Sequence, residues 1–156
     1  MFFFCARRLY RYEKAQFTNT WSFTQWSTFA FDGSPGEYMT GLEFSPLDSN
    51  RAYAATNLGR MLWSDDKGVT WNISATTGPS EVWLYGMAIQ PSHVDVDTVY
   101  IGGSGYGSPA VWKSTDGGQT FFPWGQGLPD TLVYCLAESP DGQHEAAEAV
   151  TESDSL

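Results

Sequence analysis

The chain has 156 residues and a formal net charge of −10, length enough for one domain with a real core. So acidic a surface repels phosphate, which argues against nucleic acid and anionic membranes as partners. No apolar run approaches the roughly 20 residues of a membrane span, and the opening residues 1–8 carry their charges after a short apolar stretch, not before it as a secretory signal would.

Aromatic residues make up 16% of the chain, beside 16 glycines and 8 prolines. That mix predicts short strands joined by tight turns. In chain order, residues 9–12 and 20–23 read as strands. Residues 41–46 alternate and close on Pro46; 51–56 and 61–64 follow as two more strands. The series then repeats: 86–91 closing on Pro91, 98–102, and 111–114. A third opening copy, 133–140, closes on Pro140. These prolines lie 45 and 49 residues apart. After Gly142 the aromatics vanish, and 143–149 read as weak helix or disordered tail. Two cysteines, Cys5 and Cys135, sit in apolar strand-like runs and are expected to be small buried residues; nothing in the sequence pairs them in a disulfide. There is no CxxC or Cys/His cluster for a metal, and His93 and His144 are isolated.

Within the repeats, Ser64-Asp65-Asp66-Lys67-Gly68-Val69-Thr70-Trp71 aligns without a gap with Ser114-Thr115-Asp116-Gly117-Gly118-Gln119-Thr120-Phe121. Asp66 and Asp116 can accept hydrogen bonds from turn amides. Gly68 and Gly118 can supply positive φ. Ser64, Ser114, Thr70 and Thr120 can tie the turn with hydroxyls, and Trp71 and Phe121 open a fourth strand. This octet resembles the Asp-box, or BNR repeat, of sialidase-, sortilin- and xyloglucanase-like β-propellers. The resemblance covers residues 38–140. With a period of 45–50 residues and four strands per unit, it predicts an all-β, incomplete propeller: 1–37 as the end of a preceding blade and a loop, 38–85 and 86–132 as two blades, 133–142 as the start of another, and 143–156 as an acidic tail. It implies that the octets are structural and lie away from the ligand face.

The resemblance places ligands at the loops between blades and at the inner loops 57–60 and 103–109. Trp26, Trp83, Tyr106 and Trp124 are the ligand-binding candidates there, with Asp32, Glu37, Glu81 and Asp130 nearby. Rings beside carboxylates suit a glycan. A glycoside hydrolase would need two facing carboxylates, for which Asp32, Glu81 and Asp130 are the candidates. A sialidase is disfavoured, because no arginine follows Arg60 and an arginine cluster is what grips a sugar carboxylate. The glycine-rich run 102–107 lacks the Lys-Ser/Thr of a phosphate loop, and neither Asp95-Val96-Asp97 nor Asp65-Asp66 has calcium-loop spacing. No cofactor or metal is expected. The leading reading is a non-catalytic segment that binds a protein or glycan, completed by further blades in the same polypeptide or by self-association. The alternative is a fragment of a secreted glycoside hydrolase. An extracellular or cell-surface location is the default for such repeats.

Overall fold

The computed structural model describes residues 2–5, 8–15, 17–28, 36–75, 86–103, 109–128, 132–143 and 145–150. Among them there is no helix; every pairing is antiparallel. β1 (Phe2–Cys5), β2 (Arg8–Lys14) and β3 (Trp21–Thr28) form a three-stranded sheet. β4 (Met39–Phe44), β5 (Ala52–Thr56), β6 (Met61–Ser64) and β7 (Asn72–Ile73) form a four-stranded meander. β8 (Gly86–Pro91), β9 (Val99–Gly103), β10 (Val111–Ser114) and β11 (Phe122–Trp124) form a second. β12 (Leu132–Glu138) pairs with β13 (Glu145–Val150). The expected strands at 9–12 and 20–23 are both present and longer, and β1 precedes them. The expectation of weak helix or tail over 143–149 is corrected by β13, which runs from Glu145, opposite Glu138, to Val150, opposite Leu132. Its Ala and Glu residues favour helix locally, but a strand edge offering backbone partners overrides that preference.

The sheets stack face against face, with β4, β8 and β12 side by side. Strand alternation sends successive side chains to opposite faces, so each middle sheet meets one neighbour on each side. Tyr53, Ala55, Met61 and Trp63 on one sheet pack against Val99, Ile101, Trp112 and Phe121 on the next. On the other side of the first meander, Ala54 and Leu62 meet Leu9 of β2. Val111 of the second meander packs with Val133 and Leu136 of β12. Burying such side chains contributes about 1.5–3 kcal/mol each, so these seams between sheets are the core.

The two octets close the β6–β7 and β10–β11 turns with the same bonds. The Ser64 hydroxyl donates to Asp66 Oδ1 (2.8 Å), while Ser64 Oγ accepts from Gly68 N (2.9 Å). Asp66 accepts from Thr70 N (2.8 Å) and from the Thr70 hydroxyl (2.6 Å). In the second turn Ser114 donates to Asp116 (2.7 Å) and accepts from Gly118 N (2.9 Å); Asp116 accepts from Thr120 N (2.9 Å) and its hydroxyl (2.6 Å). Gly68 and Gly118 sit at φ +78° and +88°, a region that strains any residue with a Cβ. The paired strands begin one residue after Trp71 and Phe121. Phe121 is buried, and the Trp71 indole donates to Gly68 O at 3.0 Å.

These bonds predict a pH dependence. Desolvation pushes the Asp66 and Asp116 carboxyls up, but hydrogen bonds from Thr70 and Ser64, and from Thr120 and Ser114, outweigh it and hold both below their ordinary value of 3.8. A carboxyl depressed in the folded state stabilises the fold above its unfolded pKa, and that contribution is lost as pH falls through the lower folded value. Urea midpoints should therefore fall steeply below about pH 4, and an Asp66→Asn, Asp116→Asn double variant should show a shallower acid limb. An unchanged limb in that variant would refute the assignment.

A second repeated turn lies at the start of each sheet, and it corrects the alignment drawn from prolines. Ser45 Oγ accepts from Leu47 N and Asp48 N; Ser92 Oγ accepts from Val94 N and Asp95 N. Asp48 and Asp95 each accept from the amide two residues on. Ser45 is thus the counterpart of Ser92, and Pro46 that of His93, not of Pro91. Ser45, Ser92 and Ser139 are evenly spaced by 47 residues. The hydroxyl, which bonds, holds the register; the proline, which only restricts φ, drifts around it.

Candidate functional site

The octets lie at one end of the sheets, and the β5–β6 turn at the other, where a ligand face is expected. Gly59 turns the chain at φ +79°. The Thr56 hydroxyl donates to Glu37 Oε1 at 2.9 Å, and its oxygen accepts from Leu58 N and Arg60 N. Arg60 Nε lies 3.3 Å from Glu37 Oε1. Asn57 accepts from Tyr38 N (2.8 Å) and donates to Gly36 O (3.1 Å). Glu37 is 3% exposed, so this carboxylate braces the loop that precedes β4 and is turned away from solvent.

Asp32, Glu81, Asp130, Trp83 and Tyr106 lie outside the described residues. Trp26 falls in β3, and its side chain also lies outside them. Trp124 is described, and its place differs from expectation: it belongs to strand β11 and stands on a sheet face, not in a loop between sheets. Lys113 Nζ sits 4.4 Å from the Trp124 ring centroid and 4.9 Å from that of Tyr100, close enough for cation–π attraction. Phe122 meets Trp124 edge to face with centroids 6.5 Å apart. Beside these rings is a cavity of about 240 Å³ lined by Gln90, Tyr100, Val111, Trp124, Gln126 and Glu138. Glu138 is buried; Ser92 Oγ donates to its Oε1 at 2.9 Å and His93 N donates to its Oε2. Tyr100, Lys113 and Phe122 were not anticipated, although the run Trp112-Lys113 followed by Phe121-Phe122 carries the signal: alternation gives β10 and β11 a second face.

A wider cavity of about 430 Å³ lies among the inner strands, lined by Glu43, Phe44, Pro46, His93, Tyr134 and Cys135. Protein atoms crowding Glu43 push its carboxyl up. Cys135 is an exposed free thiol, which corrects the expectation of a buried one; β12 turns Val133 inward, and the residue two positions along, after a register shift in the ladder, faces out. Among the described residues no group of three or more His, Cys, Asp or Glu side chains could hold a metal ion, and no helix is long and apolar enough to cross a membrane.

No protein-family model matches the chain, and no curated protein matches it. Solved structures do. The GH74 enzyme of Niastella koreensis superposes with a TM-score of 0.56 at 22% identity, over 86% of this chain and 21% of that one. YCF48 from Cyanidioschyzon merolae gives 0.50 at 18% identity, over 76% and 40%. An ancestral GH74 enzyme gives 0.52 at 12% identity, over 85% and 19%. The chain thus spans about a fifth of the length of the two GH74 enzymes and 40% of YCF48. Identities this low carry the fold alone. These neighbours are β-propeller proteins, and with its two four-stranded antiparallel meanders the chain is an all-β partial propeller.

Proposed function

We propose that the chain is a non-catalytic segment of an Asp-box propeller that serves binding or assembly. One observation supports this above others: among the described residues, the carboxylates Glu37, Asp66, Asp116 and Glu138 are spent on structure. Glu37 braces Thr56 and Arg60, Asp66 and Asp116 tie their turns, and Glu138 holds Ser92 and His93. Glycoside hydrolysis needs two carboxylates facing one cleft, and Glu138 is the single carboxylate lining the cavity beside Trp124 among the described residues. Trp26, Trp83 and Tyr106 remain the proposed platforms for a protein or glycan ligand at the loop face; the sheet-face position of Trp124 suits assembly instead. Propeller blades, in the same polypeptide or another, are the proposed partners, and the cell exterior the proposed location.

A second reading, a glycoside hydrolase fragment, is favoured by the GH74 neighbours. It would draw its carboxylate pair from Asp32, Glu81 and Asp130. Incubation with neutral polysaccharides, followed for both retention and new reducing ends, separates the two. Retention without cleavage, weakened about tenfold by Trp83→Ala or Tyr106→Ala as expected for loss of one stacking ring, is the predicted result. Cleavage abolished by Asp32→Asn, Glu81→Gln or Asp130→Asn would replace the first reading with the second.

A further inference from the structure

The chain has four asparagines, Asn19, Asn50, Asn57 and Asn72, and only Asn72 is followed two residues on by a hydroxyl residue, in Asn72-Ile73-Ser74. An Asn-x-Ser run whose middle residue is not proline is the acceptor signature of N-linked glycosylation. The fold puts this run at a rim. β7 is the outermost strand of the first meander, and Asn72 and Ile73 are both exposed. Asn57, by contrast, is committed at both ends of its amide, accepting from Tyr38 N and donating to Gly36 O. Successive sheets of a propeller stack on their faces around a central channel, so an outer edge stays at the rim whatever number of blades the ring holds.

The two meanders treat this edge differently. In octet register Ile73 corresponds to Pro123, and the residues they face, Leu62 and Trp112, correspond as well. Ser74 N donates inward to Met61 O. Residues of an antiparallel ladder alternate between bonding to the partner strand and pointing away from it, so the Ile73 N–H is directed at the rim. Pro123 has no N–H to direct there. Outward donors on an edge strand are a template for pairing with another chain, and proline is one way of blunting them. The second meander therefore carries its own block. The first carries instead an acceptor asparagine next to the donor that a block would cover, and a hydrated oligosaccharide on Asn72 would keep an incoming strand from Ile73.

We propose that Asn72 is the acceptor of an N-linked glycan. This rests on the exterior location in the reading above, since the transferase and its sugar donor work in the secretory compartment. The donor is a lipid-linked oligosaccharide diphosphate. Asn72 Nδ2 forms a bond to C1 of its first sugar, the bond from C1 to the diphosphate oxygen breaks, the lipid diphosphate leaves, and the proton lost from Nδ2 passes to a base of the transferase. The structure also sets the order of events. In the folded chain Ser74 is buried, its hydroxyl donates to Gly118 O of the neighbouring sheet and its N–H to Met61 O. The hydroxyl that completes the acceptor signature is thus occupied once the seam between the meanders has closed, so transfer precedes closure. Afterwards the glycan stands on the exposed Asn72 and leaves the Ser74 bonds in place.

The test is expression of the full chain behind a cleavable secretion leader in a eukaryotic host, with mass spectrometry of the product from the medium or, where it is retained, from the secretory membranes. The wild type should exceed the 17.3 kDa of the bare chain and return to it on treatment with a peptide N-glycosidase, which leaves aspartate at position 72. Asn72→Gln and Ser74→Ala should both be bare, and Asn50→Gln should keep the glycan. Ser74→Ala also removes the bond to Gly118, so Asn72→Gln, which alters only an exposed side chain, is the deciding variant. A bare wild type in either fraction overturns the proposal, and so does a glycan that survives in Asn72→Gln. A chain found in the cytosol of the cells that make it would refute the exterior location without changing any of these masses, so the two failures are distinguishable.

Discussion

Gly118→Ala is expected to destabilise the fold by about 2–4 kcal/mol, and Gly127→Ala by only about 1 kcal/mol. Both glycines have positive φ, +88° and +94°, so both substitutions incur similar backbone strain. They differ in their surroundings. A Cβ at Gly118 would stand 3.0 Å from Tyr53 Cε1 and 3.3 Å from Trp63 Cβ, whereas one at Gly127 would have nothing within 4 Å. Tyr53 is fully buried and has nowhere to retreat, and forcing a close-packed seam apart typically costs 1–3 kcal/mol beyond the strain. Gly118 O also accepts a hydrogen bond from Ser74 of the neighbouring sheet, so displacement of the turn would be felt across the seam. The difference between the two urea midpoints isolates the packing of octet on sheet from the conformation of the glycine. Equal losses would mean that the octet serves its own turn and contributes nothing to stacking.

The strands were legible because their signal is local. Residues such as Met61 to Ser64 and Val111 to Ser114 alternate and are bounded by turn residues, and the Ser, Asp and Thr side chains of each octet bond within four positions. What depends on neighbours was not legible. The prolines misaligned the repeats because proline is the conspicuous residue of each turn, whereas the Ser-x-x-Asp pattern at 45–48 and 92–95 carries the bonds. Helix-forming residues over 145–150 concealed a strand whose existence depends on the open edge of β12. Cys135 looked buried because its apolar neighbours were visible, while the open cavity beside it was not. The same blindness hid the face of Lys113 and Phe122: alternation shows that two faces exist, but only the stacking of sheets shows that one is covered. The carboxylates Asp32, Glu81 and Asp130, read from loop position alone, lie outside the described residues.

Arg51→Ala and Gly117→Ala should be non-additive, because both act on one clasp between the two meanders. Arg51 ends the β4–β5 turn, and its guanidinium reaches across the seam. Nε lies 2.5 Å from Asp65 of its own sheet's octet; Nη1 lies 3.7 Å from Asp97 of the next sheet and donates to Gly117 O at 3.2 Å. The Arg51 side chain is 16% exposed, but Asp65 and Asp97 are 56% and 55% exposed. Removing the arginine therefore leaves both carboxylates in contact with water, and the loss is expected at about 1–2 kcal/mol, not the 3–5 of a stranded buried charge. Arg51→Lys should recover less than half of it, since the three donors of an ammonium sit on one compact nitrogen and cannot span acceptors that the guanidinium meets from Nε and Nη1. A Cβ at Gly117 would fall on Arg51 Nη1 itself, so Gly117→Ala must eject the guanidinium as well as strain a backbone at φ +73°. With arginine present, the alanine should cost about 2–3 kcal/mol; in an Arg51→Ala background only the strain of about 1 kcal/mol should remain. Urea unfolding of the four proteins gives the coupling directly. A coupling near zero would show that the clasp holds nothing in solution. A coupling of about 1 kcal/mol or more that shrinks with added salt, as screening of the exposed carboxylates requires, would show that charge as well as apolar packing joins successive sheets.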